Sequence, residues 1–259
     1  MKNLFYALTA FVAISCNQSE TKKKPQELTL SEVEEENTFD STNYLGRNES
    51  LQKLITSPNS VRLTGIDRVK LIPIYKLRKT SNRGIQYGES STYYEYEGIT
   101  KQEDGFHYFM PGIEIIEGYN LINIAHYDVS TERLSYFFNK PTLINVAYFP
   151  GPKKDSLAFQ QVTRNFFLVS AYDEDSNGDS LINKKDLRKF FYINETNSTK
   201  KQLIPKHYSA QRSTYDYKSD IMYIYTRHDR NKNGQIEKTE PVSVFWIDFK
   251  DPGTLKKLI

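Results

Sequence analysis

Residues 167–204, FLVSAYDEDSNGDSLINKKDLRKFFYINETNSTKKQLI, and residues 221–259, IMYIYTRHDRNKNGQIEKTEPVSVFWIDFKDPGTLKKLI, are two copies of one plan. Asp175 falls on Asp229, Ile182 on Ile236, Phe191 on Phe245 and Ile193 on Ile247, a constant offset of 54 residues. Each copy runs from an apolar segment through an acidic, Asn-rich loop to a second apolar segment, a turn and a Leu-Ile ending. The apolar segments are short, β-branched and aromatic, which favours strands over helices. Pro241 follows directly on the second loop, and VSVFWIDF after it reads as a strand. A strand–loop–strand unit repeated at this spacing is the mark of a β-array.

The same texture extends upstream. VRLTGIDRVKLIPIYKL (61–77), STYYEYEGI (91–99), FHYFMPGIEII (106–116), NLINIAHYDV (120–129), RLSYFF (133–138) and TLINVAYF (142–149) are apolar or alternating runs. Turn residues such as Asn139-Lys140-Pro141 and Pro150-Gly151-Pro152 separate them. The expected fold class is all-β, with a β-rich repeat domain over residues 50–259 whose clearest units are 160–205 and 213–259. The later copy resembles blades of the TolB-like and WD40-like propellers, which run strand, hairpin, strand and short turn. That resemblance covers roughly the last 100 residues. It implies a β-propeller-like or related antiparallel β-repeat domain whose hairpin connections are lengthened by the acidic loops.

The loops carry the chemistry. Read from Asp229, the second runs D-R-N-K-N-G-Q-I-E-K-T-E. Asp229, Asn231 and Asn233 take positions 1, 3 and 5, and Gly234 takes position 6. The Gln235 carbonyl takes position 7, Ile236 position 8, Glu237 position 9 and Glu240 position 12. This resembles the EF-hand calcium loop. A hard cation wants six or more close oxygens, alternate side chains supply them, glycine permits the bend, and a carboxylate at position 12 closes the shell. In the first copy a start at Asp173 would put Lys184 at position 12, where a cation would repel the ion. A start at Asp175 gives Asp175, Asn177 and Asp179 at 1, 3 and 5, the Leu181 carbonyl at 7, Asn183 at 9 and Asp186 at 12. Ser180 stands where the family has glycine, which places the bend under mild strain. This version resembles the loops of dockerins, although dockerins repeat more closely and place helices between loops. Ile182 and Ile236 are expected to turn into the core. The same residues would also suit plain Asn- and Asp-rich hairpin turns without a metal. Each loop has three carboxylates, which implies weak calcium affinity, on the order of 10⁻⁴–10⁻³ M, and a structural role.

The chain opens MKNLFYALTAFVAISCNQSE, with Lys2 before an apolar run from Leu4 to Ile14. That run is too short to anchor in a bilayer and fits a secretory signal. AISC resembles the lipobox of bacterial lipoproteins, which implies cleavage after residue 15 and a lipid on Cys16. Cys16 is the only cysteine, so a disulfide within one chain is excluded. Residues 16–49 are polar and charged and read as a flexible tether. Asn17 lacks the aspartate that retains lipoproteins at the inner membrane, so the expected place is the cell envelope, lipid-anchored at the outer membrane.

Other chemistry is not signalled. The 35 basic and 32 acidic residues nearly balance, which argues against a nucleic-acid partner. No GxSxG, HExxH, P-loop or GxGxxG occurs. His107, His126, His207 and His228 lie in different segments, and His228 is expected to face solvent. The leading expectation is a non-enzymatic calcium-binding module held to the membrane by its N-terminal lipid, serving a protein or glycan partner in the envelope. The alternatives are a glycan hydrolase with structural calcium, its two carboxylates about 5–9 Å apart, and a dockerin-like docking module that needs helices beside both loops.

Overall fold

Phe166–Tyr172 is buried at all seven of its positions. A strand with no exposed side chain must lie in a sheet covered on both faces, and the computed structural model is built around that sheet. It describes residues 45–46, 56–80, 84–86, 110–118 and 120–259. All of these belong to the unit Asp40–Ile259 into which the chain's contacts divide it.

The described residues form strands and turns, with no helix. The first strands are β1 (Leu45–Gly46), β2 (Thr56–Pro58), β3 (Arg62–Leu63), β4 (Val69–Lys76), β5 (Arg78–Thr80), β6 (Gly84–Gln86) and β7 (Ile113–Glu117). Then come β8 (Leu121–Asp128), β9 (Arg133–Tyr136), β10 (Leu143–Pro150), β11 (Asp155–Leu157), β12 (Gln160–Val162) and β13 (Phe166–Tyr172). The last are β14 (Leu181–Ile182), β15 (Lys189–Asn194), β16 (Lys200–Gln202), β17 (Tyr208–Asp216), β18 (Ile221–His228), β19 (Val242–Asp248) and β20 (Leu255–Lys257).

The strands form three larger antiparallel sheets, the first two interleaved along the chain because β7 of the middle sheet precedes β8 and β9 of the first. The first has the order β2-β4-β8-β9, with β3 also on β4. The middle one is β7-β10-β13-β15-β16, and the last is β17-β18-β19-β20. Strand alternation then does the stacking. Phe167, Val169, Phe191 and Ile193 of the middle sheet pack with Val69, Leu71 and Ile124 of the first. Their neighbours Phe166, Leu168 and Phe190 pack with Met222, Ile224 and Ile247 of the last. Burying each such side chain contributes about 1.5–3 kcal/mol. The fold is thus the all-β, partly propeller-like array that the short apolar runs imply.

The repeat is sharper in three dimensions than in sequence. Val169 pairs with Phe191 as Ile224 pairs with Phe245. The first strands of the two copies are therefore offset by one residue more than the second strands, and Glu174 is the extra residue. The copies also begin earlier than residues 160 and 213. β10 and β17 are equivalent opening strands, each with one bulge, between Ile144 and Val146 and between Ala210 and Arg212. Sequence alone hides this because the β11–β12 hairpin interrupts the first copy.

One boundary moves. Leu45 and Gly46 pair with Ile182 and Leu181, and Leu45 is buried beside Ile122, Leu143 and Tyr172. The stretch read as tether therefore ends before β1. The signal segment 1–15, Cys16, the rest of 16–49 and the run 91–99 lie outside the described residues.

A polar staple joins the middle and last sheets. Arg164, just ahead of β13 and 6% exposed, donates to both oxygens of Asp220 at 2.9 and 2.7 Å and to the Pro111 carbonyl. The Tyr215 hydroxyl donates to Asp220 at 2.7 Å, and the guanidinium lies over the Phe249 ring. Burial and the adjacent carboxylate push the Tyr215 hydroxyl well above its ordinary pKa. Arg164→Ala leaves Asp220 buried without its cation and is expected to cost about 3–5 kcal/mol in urea unfolding. A loss under 1 kcal/mol would show that the sheets do not depend on this pair.

Candidate metal centre

The loop 175–186 leaves β13 and the loop 229–240 leaves β18. Both are folded by the same backbone hydrogen bonds. The carboxylate at position 1 accepts N–H bonds from positions 4 to 6: Asp175 from Gly178, Asp179 and Ser180, and Asp229 from Asn233 and Gly234. The amide oxygen at position 3 accepts from position 5, Asn177 from Asp179 and Asn231 from Asn233. Position 5 accepts from position 7, Asp179 from Leu181 and Asn233 from Gln235. Position 12 reaches back to positions 2 and 9: Asp186 to Ser176 and Asn183, and Glu240 to Arg230 and Glu237.

This shared pattern fits the start at Asp175. Asp173 instead lies outside the loop and pairs with Lys189 at 2.8 Å. Positions 4 and 6 are left-handed in both loops. Gly178 and Ser180 have φ of 75° and 70°, and Lys232 and Gly234 have 58° and 77°. Each loop spends its single glycine on a different one of these two positions. The reason is contact. A Cβ on Gly234 would overlap the Ser176 carbonyl, whereas a Cβ on Gly178 would meet nothing.

That contact brings the loops together. Ser176 Oγ donates to the Gly234 carbonyl at 2.6 Å and accepts from Leu187 N at 2.8 Å. Sequence reasoning missed Ser176, because position 2 of such a loop carries no type requirement. A cleft of about 440 Å³ opens beside the junction, lined by Asp175, Asp229, Lys189, Lys206, His207 and Lys232 among others. Its charges are mixed, and Lys189 is held by Asp173 and Glu174.

The donor set in each loop is oxygen. In the second, Asn231 and Asn233 both reach the Glu237 carboxylate, at 3.1 and 3.0 Å, so positions 3, 5 and 9 face one centre. In the first, Asn177 reaches Asp179 at 3.3 Å, while Asn183 accepts from Lys185 N. Among the described residues no group of three or more His, Cys, Asp or Glu side chains is close enough to hold a metal ion. Part of the reason is composition, since amides and backbone carbonyls make up half of each set. The rest is orientation, since both oxygens of Asp186 and of Glu240 accept loop N–H bonds. Burial raises the Asp186 carboxyl above its ordinary range, while the N–H groups of Asn183, Ser176 and Asn177 pull it down.

Several expectations change. Ile182 is 5% exposed and sits in a cluster with Leu45, whereas Ile236 is only half-buried. The difference is β1, which pairs with Leu181–Ile182, while no strand pairs with Gln235–Ile236 among the described residues. His228 is stacked on Tyr208, 4.4 Å between centroids, rather than facing solvent freely. His126 is buried against Phe167 with Nε2 2.9 Å from the Glu195 carbonyl, and His207 stands 4.0 Å from Asp229. Strands flank both loops where a dockerin-like arrangement needs helices. Each loop closes with one hydrogen-bonded turn, Asp186 N to Asn183 O and Glu240 N to Glu237 O. Away from the loops, the buried carboxylates Asp128 and Asp220 are each held by an arginine, Arg68 and Arg164.

The two glycines give a paired test in chelator. Gly178→Ala is expected to cost about 1–2 kcal/mol, the price of a left-handed side chain. Gly234→Ala carries the same backbone term plus about 1–3 kcal/mol for overlap with Ser176. Equal losses in chemical unfolding would mean that the loops do not bear on each other.

No protein-family model matches the chain, and no curated protein matches it.

Proposed function

We propose that this is a lipid-anchored calcium-binding module of the cell envelope, serving as a binding or scaffolding element rather than an enzyme. One observation carries the calcium reading. Two loops of identical oxygen spacing share one hydrogen-bond pattern and abut at Ser176 and Gly234. Plain turns would need no such agreement over twelve positions. The ligands are Asp175, Asn177, Asp179, the Leu181 carbonyl, Asn183 and Asp186 in one loop. In the other they are Asp229, Asn231, Asn233, the Gln235 carbonyl, Glu237 and Glu240.

Calcium supplies a counter-charge for carboxylates held together by the fold, and so fastens the loop that joins two strands. This chain's residues order both loops through their own hydrogen bonds. Asp175 and Asp229 fix the first half of each loop through backbone N–H groups, and Asp186 and Glu240 tie the last residue to the second. Because the loops touch, an ion in one stiffens the backbone that the other rests on. The anchor rests on the AISC sequence at residues 13–16 and the lone Cys16. The membrane is then the first partner, and a protein or glycan of the envelope the second.

Calorimetric titration with calcium, with melts in calcium and in chelator, checks this. Two sites on the order of 10⁻⁴–10⁻³ M are expected. Asp175→Ala should abolish one and Asp229→Ala the other. At a calcium concentration a hundred times the Kd, stability should rise by about 2.7 kcal/mol per site. No heat and no change in melting at several times the upper end of that range would reduce both loops to turns.

A further inference from the structure

Among the described residues, the middle sheet is covered by a sheet on both sides and the outer sheets are each covered by a sheet on one. What their outer faces carry can be read through the repeat. Leu168, Ser170 and Tyr192 of the middle sheet lie on the face turned to the last sheet, with Phe166 and Phe190 beside them. Strand register makes Tyr223, Tyr225 and Trp246 their counterparts in the last sheet. These three aromatic residues lie on its outer face and are half-buried. Two of the rings carry a cation, Arg212 at 4.2 Å from the Tyr225 centroid and Lys256 at 4.4 Å from that of Trp246. The last sheet thus presents, at its end of the stack, the face on which the preceding sheet receives its successor.

Among the described residues, the first sheet carries exposed apolar side chains on the opposite side. Its row Leu63, Lys70, Tyr127 and Leu134 is in register across four strands, and Tyr136 follows on the same face. Leu63, Leu134 and Tyr136 are 56%, 51% and 46% exposed. Large apolar side chains gathered on one sheet face mark a contact surface.

We propose that a second copy of this chain covers both faces, the first sheet of each copy stacking on the last sheet of the other. The argument is continuity. Such a contact repeats, between chains, the sheet-on-sheet packing that the chain already makes twice within itself. Two copies related by a two-fold axis make the contact twice, because residue i meets residue j and j meets i. The result is a stack of six sheets, within the usual range of about 4–8 for closed arrays of this kind. Isolated end faces are the recurrent liability of repeat proteins, which need polar caps when nothing covers them. Here Arg212 and Lys256 are flexible enough to swing to the rim as a partner sheet arrives.

The test uses the full chain with Cys16→Ser, so that neither lipid nor native thiol takes part. Light scattering should give twice the chain mass at rising concentration. With Leu134→Cys and Tyr223→Cys together, a short bis-maleimide should trap a covalent dimer, and neither substitution alone should do so. Leu134→Asp, on an exposed site, should weaken the dimer roughly thirtyfold or more, with unchanged circular dichroism and melting of the monomer. A monomer at every concentration overturns the proposal and leaves the faces to solvent or to another sheet protein. A dimer trapped by Leu134→Cys alone places like face on like face and overturns it as well. So does a dimer indifferent to Leu134→Asp. None of these outcomes depends on calcium.

Discussion

The molecule depends on a strand that never reaches water. Because every side chain of β13 is buried, its sheet cannot exist without a layer on each side, and the order of the chain provides them. The first sheet arrives before it and the last sheet after it. Alternate residues of β13 decide which layer they serve, Phe167 and Val169 one way and Phe166 and Leu168 the other. A slip of one residue would exchange the two sets and spoil both cores at once. The Arg164–Asp220 pair fits the same logic. It lies at the entrance to β13 and ties the far layer by charge beside the Phe166, Tyr215 and Phe249 rings.

The acidic loops are placed by this stack rather than by their own sequence. β13 and β18 occupy the same position in consecutive sheets, so the loops that leave them emerge side by side. Ser176 and Gly234 then meet because the sheets do. The loops add a polar junction at one end of the layers, while the hydrophobic clusters hold the middle. Arg188 adds a further tie, donating to the carbonyls of Ala210 and Gln211 at the bulge of β17.

The all-β class was legible in the chain because its apolar runs are short and rich in β-branched and aromatic residues. The register of the first loop was legible too, since Lys184 at the closing position rules out the alternative start. What was hidden has physical reasons. The one-residue slip at Glu174 is invisible because strand pairing, not residue identity, reveals it. β1 was read as tether because two residues are too few to show a period of two. The meeting of the loops left no trace because a serine at position 2 is ordinary and the contact is made largely by backbone. The deeper burial of Ile182 than of Ile236 depends on its pairing with β1, which only topology supplies. The calcium and the lipid rest on sequence pattern.

The last sheet, β17-β18-β19-β20, pairs only strands that follow one another in the chain, which lets it assemble from local segments. β1 lies at the other extreme. Leu45 and Gly46 wait for Ile182 and Leu181, which come after the first sheet and half of the middle one have been made. Two residues of pairing give little in return for closing so long a loop. The N-terminal strand therefore docks late in folding and opens early in local unfolding. Amide exchange and protease nicking will begin there, well before the sheets that carry the loops have loosened.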